Sequence, residues 1–340
     1  MRILVTGAAG FLGRYIVEQG RARGCALRAF ARREHPWMRD LGVEVVLGDV
    51  RDRQQVMRAC AGCDAVIHTA AIASIGGRWE TFYDVNVRGT EHVIDGCRQH
   101  GVPKLVFTSS PSVTFAGVDQ NGIDESAPYP TKWLAHYPRS KAMAEELALK
   151  ANSSQLATCA LRPHLIWGPR DGHLIPRLID RARRGMLRQV GDGKNLVDSI
   201  YVENAAEAHL LAMDRLTYDS PVAGKAYFLS QGEPVNCWAW INEILALAEL
   251  PPVKKRISLR AAYTAGAVLE TAYWLLGRTD EPRMTRFLAA QLATSHYFDL
   301  SRARSDLGYA PKVSMAQGMR RLGEWIKSGT ATQVGQVPRT

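Results

Sequence analysis

The feature that most restricts this chain comes within its first thirteen residues. A β-favouring apolar run, Met1-Arg2-Ile3-Leu4-Val5-Thr6, stops at Gly7 and continues as Ala8-Ala9-Gly10-Phe11-Leu12-Gly13 into a helix-forming stretch over 12–22. A strand that enters a glycine turn and leaves as a helix points backbone N–H groups and the positive end of the helix at an anion. Gly7 permits the tight turn, Gly10 lets backbone approach a pyrophosphate, and Gly13 lets the helix pack closely on the sheet. With Ala9, Phe11 and Leu12 between them, these residues form a candidate dinucleotide cradle.

The rest of the chain agrees with that start. Near-continuous apolar runs at 25–30, 43–47, 64–68, 104–108 and 157–161 alternate with periodic segments at 53–60, 81–99 and 138–150. Strands of this kind separated by helices mean a parallel sheet covered on both faces. The expected fold is α/β, a doubly wound, Rossmann-like parallel sheet with a smaller C-terminal substrate-binding domain. Residues 1–165 are expected to form the dinucleotide-binding domain, with 193–230 returning to pack on it. Residues 166–192 and 231–330 are expected to form the substrate-binding or lid region, and 331–340 a disordered tail.

Composition removes whole classes of alternative. In 340 residues, 46% are apolar and 22% charged, which excludes a disordered chain and a polytopic membrane protein. The six cysteines include one close pair, Cys60 and Cys63, with no second pair to complete a four-thiolate zinc site, so no metal is expected. No apolar leader precedes the first strand, and a reducing, cytoplasmic location is the expectation. The excess of 43 Lys+Arg over 33 Asp+Glu favours anionic partners. The basic run Arg177, Arg181, Arg183, Arg184 and Arg188 lacks interleaved aromatics and reads as a solvated helix face, not as a nucleic-acid site. The apolar stretch 261–276 is interrupted by Glu270 and falls short of the roughly 20 residues a span needs. It reads as a buried or lid helix, with peripheral membrane contact as the other option.

The end of the second strand bears on cofactor choice. Phe30-Ala31-Arg32-Arg33 lies about 20 residues past Gly13, where an acidic residue would bond a ribose 2′-OH. Arg32 and Arg33 instead suit a 2′-phosphate, so NADP(H) is preferred, with NAD(H) as the other option. Asp49 and Val50 end the third strand where an adenine would lie, although Asp49 equally suits a loop cap. Thr69, Ala70 and Ala71 follow the fourth strand and leave room for ribose and phosphates.

Tyr137-Pro138-Arg139-Ser140-Lys141 opens a predicted helix and puts Tyr137 and Lys141 on one face, four residues apart. Ser110 and Ser112 follow the fifth strand at the same sheet edge. A phenol, an ammonium and a hydroxyl gathered there suit carbonyl reduction, which needs a proton donor and donors to a developing alkoxide. A neighbouring cation is expected to lower the phenol's pKa.

These motifs, with Asn86-Val87-Arg88-Gly89-Thr90, resemble the extended short-chain dehydrogenase/reductase family over residues 1 to about 327. Ser109–Val113, Leu161–Asp171 and Gly191–Asn195 resemble its 3β-hydroxysteroid and sterol-4-carboxylate dehydrogenase branch. Asp124–Pro130, Thr285–Phe287 and Ala293–His296 look nearer still to bacterial 2-alkyl-3-oxoalkanoate reductases of long-chain olefin biosynthesis. The resemblance implies an oxidoreductase of lipid metabolism that reduces a 2-alkyl-3-ketoalkanoic acid to the 3-hydroxy acid with NADPH; the alternative is a 3β-hydroxysteroid or sterol dehydrogenase. It makes Tyr137 the general acid, Lys141 the residue holding the nicotinamide ribose, Ser110 the group polarising the ketone and Asn86 a structural or relay residue, unless Asn86 merely caps a turn. Pro163 would meet the carboxamide of the nicotinamide. A trough for alkyl chains is expected around Ile72–Trp79, Trp133, His164–Trp167 and 261–276. Arg78, His164 and Arg170 are candidate carboxylate partners, and Trp79, Trp133, Trp167 and Ser112 further substrate candidates. A homodimer, and association with the other olefin-biosynthesis enzymes, are also expected.

Overall fold

The computed structural model describes residues 1–328; the tail expected over 331–340 lies outside them. Five strands come early: β1 (Arg2–Thr6), β2 (Ala26–Ala31), β3 (Glu44–Leu47), β4 (Ala65–His68) and β5 (Lys104–Thr108). With the strands Ala157–Pro163 and Lys225–Leu229 they form one seven-stranded parallel sheet. Across that sheet the order is 225–229, 157–163, β5, β4, β1, β2, β3. The chain thus winds outward from β1 to β3, then returns to β1's other side at β4. That reversal opens a crevice beyond the carboxyl ends of β1 and β4, where ligands of doubly wound sheets sit.

Both faces of the sheet are covered, which is why its strands are apolar throughout. On one face α1 (Phe11–Ala22) and the helix Val202–Arg215 join a core with Ile3, Val5, Ile16, Val17, Tyr227 and Tyr309. On the other, helices Arg53–Cys60 and Gly89–Gln99 bury Val56, Val93 and Cys97 against Leu4, Val66 and Leu105.

The smaller lobe is built on a sheet ordered 235–236, 196–197, 296–298, 120–123. Two domain boundaries therefore differ from those expected. Residues 120–123 pair with His296–Phe298 of the small lobe, and 196–197 also belong there, so the return to the main sheet runs from about Ile200. The helix Ser301–Leu307 packs back on the first core through Ala303 and Leu307. Strand pairing and helix packing between residues far apart in the chain override chain order here.

The basic segment is used structurally. Arg177 and Arg181 converge on Glu281, and Arg184 pairs with Asp180. A Cβ on Gly76 would lie 2.6 Å from the Glu281 Cα, so the 72–77 loop touches the small lobe there. All six cysteines are free thiols, and no cluster of three or more metal-ligating side chains occurs among the described residues.

The glycine turn is held by backbone packing. Gly7 has φ +68°, and a Cβ on it would sit 2.8 Å from the Ala70 backbone. A Cβ on Gly13 would collide with the Gly7 carbonyl oxygen and lie 2.9 Å from Ala8 Cα. Neither contact offers a flexible side-chain end that can swing away. Gly13→Ala is expected to lower stability by about 1–3 kcal/mol in equilibrium urea unfolding. A change within a few tenths of a kcal/mol would show that the helix can lift off the turn freely.

Candidate active site

Three loops at the carboxyl edge of the sheet build the site. The glycine turn follows β1, and Gly10 begins α1 with no side chain capping the first N–H groups. Thr69–Ala71 follow β4, with Thr69 Oγ1 donating to the Thr6 carbonyl (2.7 Å). Ser109–Ser112 follow β5, where Ser110 caps the turn Pro111–Thr114 by accepting from the Ser112 N–H (3.2 Å). The Ser110 and Ser112 hydroxyls are 2.9 Å apart. The structure therefore brings both candidate serines to one point.

The helix His136–Lys150 supplies the remaining groups, with Pro138 in a first turn that needs no N–H there. Ser110 near the Tyr137 phenol favours phenolate, yet burial outweighs this and raises its pKa. Lys141 is buried, sits over the Phe107 ring (4.1 Å) and donates to the Thr108 carbonyl. Burial lowers its pKa to about 7, while the Glu145 charge acts in the opposite sense. The expectation that Lys141 lowers the phenol's pKa is thus corrected. Its ammonium is spent on a carbonyl, and loss of water dominates at both groups.

Asn86 lies in a π-helical turn, Tyr83–Arg88, a distortion that re-aims side chains at functional sites. It donates to Ser140 Oγ (2.9 Å), which donates to the Tyr137 carbonyl (2.9 Å), and it exchanges two hydrogen bonds with the Ile72 backbone. Its carbonyl accepts from Thr90, whose hydroxyl meets His68 Nε2 at 3.0 Å, while His68 Nδ1 meets Thr6 Oγ1 at 2.6 Å. Burial and the nearby Lys141 charge lower the His68 pKa to about 3, so it stays neutral as a bridging group. A continuous buried polar chain therefore runs from the glycine turn to the helix carrying Tyr137. Apart from Asn86, the sequence reading missed it, because its members are scattered singly through the chain.

A second unforeseen group anchors the same helix. Glu145, one turn beyond Lys141, accepts two hydrogen bonds from Arg162 (2.6 and 3.0 Å) and one from the Tyr129 hydroxyl (2.6 Å). Both charges are buried. The pair ties the helix to the strand that ends at Pro163. The i, i+4 spacing of Lys141 and Glu145 was the available signal; Arg162 lacked one.

The remaining candidates divide. Arg32 and Arg33 are exposed beyond β2 and make no hydrogen bond or ion pair among the described residues, whereas Glu34 pairs with Arg39 (3.0 Å). Asp49 gives both carboxylate oxygens to Arg51, so its role is the loop cap, and the adenine assignment is corrected. Val50 is buried, its carbonyl accepting from His92. Trp79 stacks under Arg139 (4.3 Å) and meets the His136 ring (5.7 Å), beside Tyr137; Trp133 is half-buried in the loop before that helix. Arg78 is exposed and unpaired among the described residues.

Three substrate assignments are corrected. His164 is buried against His296 (2.7 Å) and the Phe298 ring. Trp167 is wholly buried among Tyr201, Trp240 and Ile244 and donates to Ser199. Arg170 forms a two-point pair with Glu18 (2.7 and 2.8 Å) and stacks on Tyr15. Trp167 and Arg170 spend their polar atoms inside the protein, and His164 is buried with Nε2 on His296. An apolar cluster of Phe115, Phe287 and Ala290 with Ile75, Leu134 and Ala135 joins the segment just before the helix that carries Tyr137 to the helix Arg286–Ala293.

The site fits a dinucleotide by its own geometry. The cradle is one that a Cβ at Gly7 or Gly13 would disrupt, and the donors along its rim are backbone N–H groups and two unpaired arginines.

Comparison with known proteins agrees with this geometry. A model of the 3-beta hydroxysteroid dehydrogenase/isomerase family matches residues 4–259. The chain is 49% identical over 326 residues to a 2-alkyl-3-oxoalkanoate reductase of Shewanella oneidensis, spanning 94% of this chain and 84% of that protein. It is 47% identical over 325 residues to the Stenotrophomonas maltophilia protein of the same name, spanning 95% and 98%. Among solved structures it is similar to the Thermus thermophilus UDP-glucose 4-epimerase complex with NAD, with a TM-score of 0.73 and 26% identity over 96% of this chain and 99% of that one.

Replacing Glu145 by Gln leaves the Arg162 charge buried without its partner. Glu145→Gln is expected to cost about 3–5 kcal/mol in chemical denaturation. A loss below about 1 kcal/mol would mean that the pair does not hold the helix.

Proposed function

The chain belongs to the 3-beta hydroxysteroid dehydrogenase/isomerase family, and from that premise we propose that it reduces the keto group of a 2-alkyl-3-oxoalkanoate to the 3-hydroxy acid. The observation carrying this reading is the gathering of Ser110, Tyr137 and Lys141 at the sheet's carboxyl edge, in a chain nearly half identical to two such reductases along almost its whole length.

The Gly7–Gly13 backbone and the N-terminus of α1 would hold the pyrophosphate of a nicotinamide dinucleotide, with Val50 near the adenine and Thr69–Ala71 near the riboses. Such a cofactor supplies the hydride when bound. Ser110 donates a hydrogen bond to the ketone oxygen, drawing charge toward it. Tyr137 gives its phenolic proton to that oxygen as the alkoxide develops. Its raised pKa keeps the proton available throughout the neutral range. Lys141 would meet the ribose hydroxyls of a bound nicotinamide dinucleotide, and Pro163 its carboxamide. The cluster of Phe115, Phe287 and Ile75 takes the alkyl chains, while Arg78, free of internal partners among the described residues, is available to the carboxylate.

NADPH is the preferred donor in this reading. Glu34 and Asp49, the nearest carboxylates, are neutralised by Arg39 and Arg51, which leaves Arg32 and Arg33 uncompensated for a 2′-phosphate. NADPH is expected to bind about tenfold or more tighter than NADH, and Arg32→Ser with Arg33→Ser to erase the difference. Equal dissociation constants in the parent chain would remove the preference.

Tyr137→Phe tests the mechanism. NADPH affinity should stay within about twofold, while single-turnover reduction of a 2-alkyl-3-oxoalkanoate, followed by NADPH absorbance, should slow by roughly 10²-fold or more. An undiminished rate would remove Tyr137 as the proton donor.

A further inference from the structure

The helix Leu259–Leu275 is turned inside out for a surface helix. Its buried residues are Ala262 and Gly266, and a Cβ on Gly266 would lie 2.6 Å from the Thr285 carbonyl carbon. This small-residue face rests on the 285–293 segment. Glu270, the helix's one acid, is bound to the Arg286 N–H and guanidinium. The outward face carries Ala261, Thr264, Ala265 and Val268 at three- and four-residue spacing. With Ser258, Arg260 and Leu269 they line an open groove of about 830 Å³. Beyond it three consecutive large side chains project into solvent: Trp274 (78% exposed), Leu275 (70%) and Leu276 (72%).

Cations flank the other end. Lys254, Lys255, Arg256 and Arg260 are exposed and make no side-chain hydrogen bond or ion pair among the described residues. The outward face thus combines an apolar stripe, an interfacial tryptophan and four uncompensated positive charges, with no free carboxylate on the helix. No helix among the described residues is long and apolar enough to cross a membrane.

We propose that this face docks on an anionic lipid bilayer, with the 259–275 helix lying in the plane of the interface. Val268, Trp274, Leu275 and Leu276 enter the acyl boundary, and Lys254, Lys255, Arg256 and Arg260 meet lipid phosphates. A second copy of the chain fits this face less well, because it would add four more positive charges to the contact while the helix offers no free carboxylate to meet them. Docking would also bring a lipid phase close to the reacting groups. The helix Arg286–Ala293 beneath it carries Phe287 into the apolar cluster that reaches the segment just before the helix of Tyr137. That consequence rests on the reductase reading; docking itself does not.

The test is flotation of the full chain with vesicles of equal parts phosphatidylglycerol and phosphatidylcholine, or of phosphatidylcholine alone, with sedimentation of the lipid-free protein in parallel. The chain should float with the anionic vesicles and be released as salt is raised. Trp274→Ser/Leu275→Ser/Leu276→Ser and Lys254→Gln/Lys255→Gln/Arg256→Gln/Arg260→Gln should each lower the bound fraction by about tenfold at an unchanged unfolding temperature. If a variant fails to fold, release of the parent chain by salt carries the test. The proposal is overturned by absence of flotation, by equal flotation with neutral vesicles, by salt-insensitive binding, or by folded variants that bind as the parent does. A dimer that the triple serine substitution dissociates would give the face to a second copy and overturn it too.

Discussion

Everything at the reacting edge depends on how closely backbone can approach backbone where β1 meets β4. Gly7 lies against Ala70, and Gly13 against Gly7's own carbonyl, at separations that exclude even a methyl group. This contact sets the start of α1 and places the Thr69–Ala71 loop opposite it. Thr6 then reinforces the junction with hydrogen bonds to His68 and Thr69. A parallel sheet reverses its winding at this point, so close backbone packing and the crevice beyond the strand ends share one place.

From that junction the order needed for catalysis passes through buried polar groups. His68, Thr90, Asn86 and Ser140 are each buried and each hydrogen-bonded on both sides, and the chain they form ends on the backbone of Tyr137. Buried polar groups demand such partners, so few other placements of the helix satisfy them all. The Glu145–Arg162 pair holds the far side of the same helix to the strand ending at Pro163. The reacting groups are therefore held from two directions, while the cluster of Phe115 and Phe287 belongs partly to the other lobe. The candidate proton donor thus stands on the sheet edge, and the apolar cluster joins the two lobes.

Much of this was legible in the chain because its signals are local. The glycine spacing, the apolar strand runs and Tyr137 with Lys141 each depend on neighbours within one turn or one strand. The errors came where a side chain's partner lies far away. Nothing near Arg170 announces Glu18, 152 residues earlier, and nothing near His164 announces His296, 132 residues later. Asp49 shows the same limit at short range. Its position suited an adenine, but Arg51 two residues on claimed both oxygens.

Residue order was enough to specify the parallel sheet and the glycine turn, since each follows from backbone sterics or from periodicity along a single element. Which polar residues stayed free to meet a ligand was decided by the folded packing, mostly through partners far along the chain. Arg32, Arg33 and Arg78 stayed unpaired among the described residues, while Arg162 was consumed by the buried Glu145 and Arg170 by the half-buried Glu18. The same packing set the protonation of Lys141 and Tyr137, because desolvation depends on what surrounds a group and not on what precedes it in the chain.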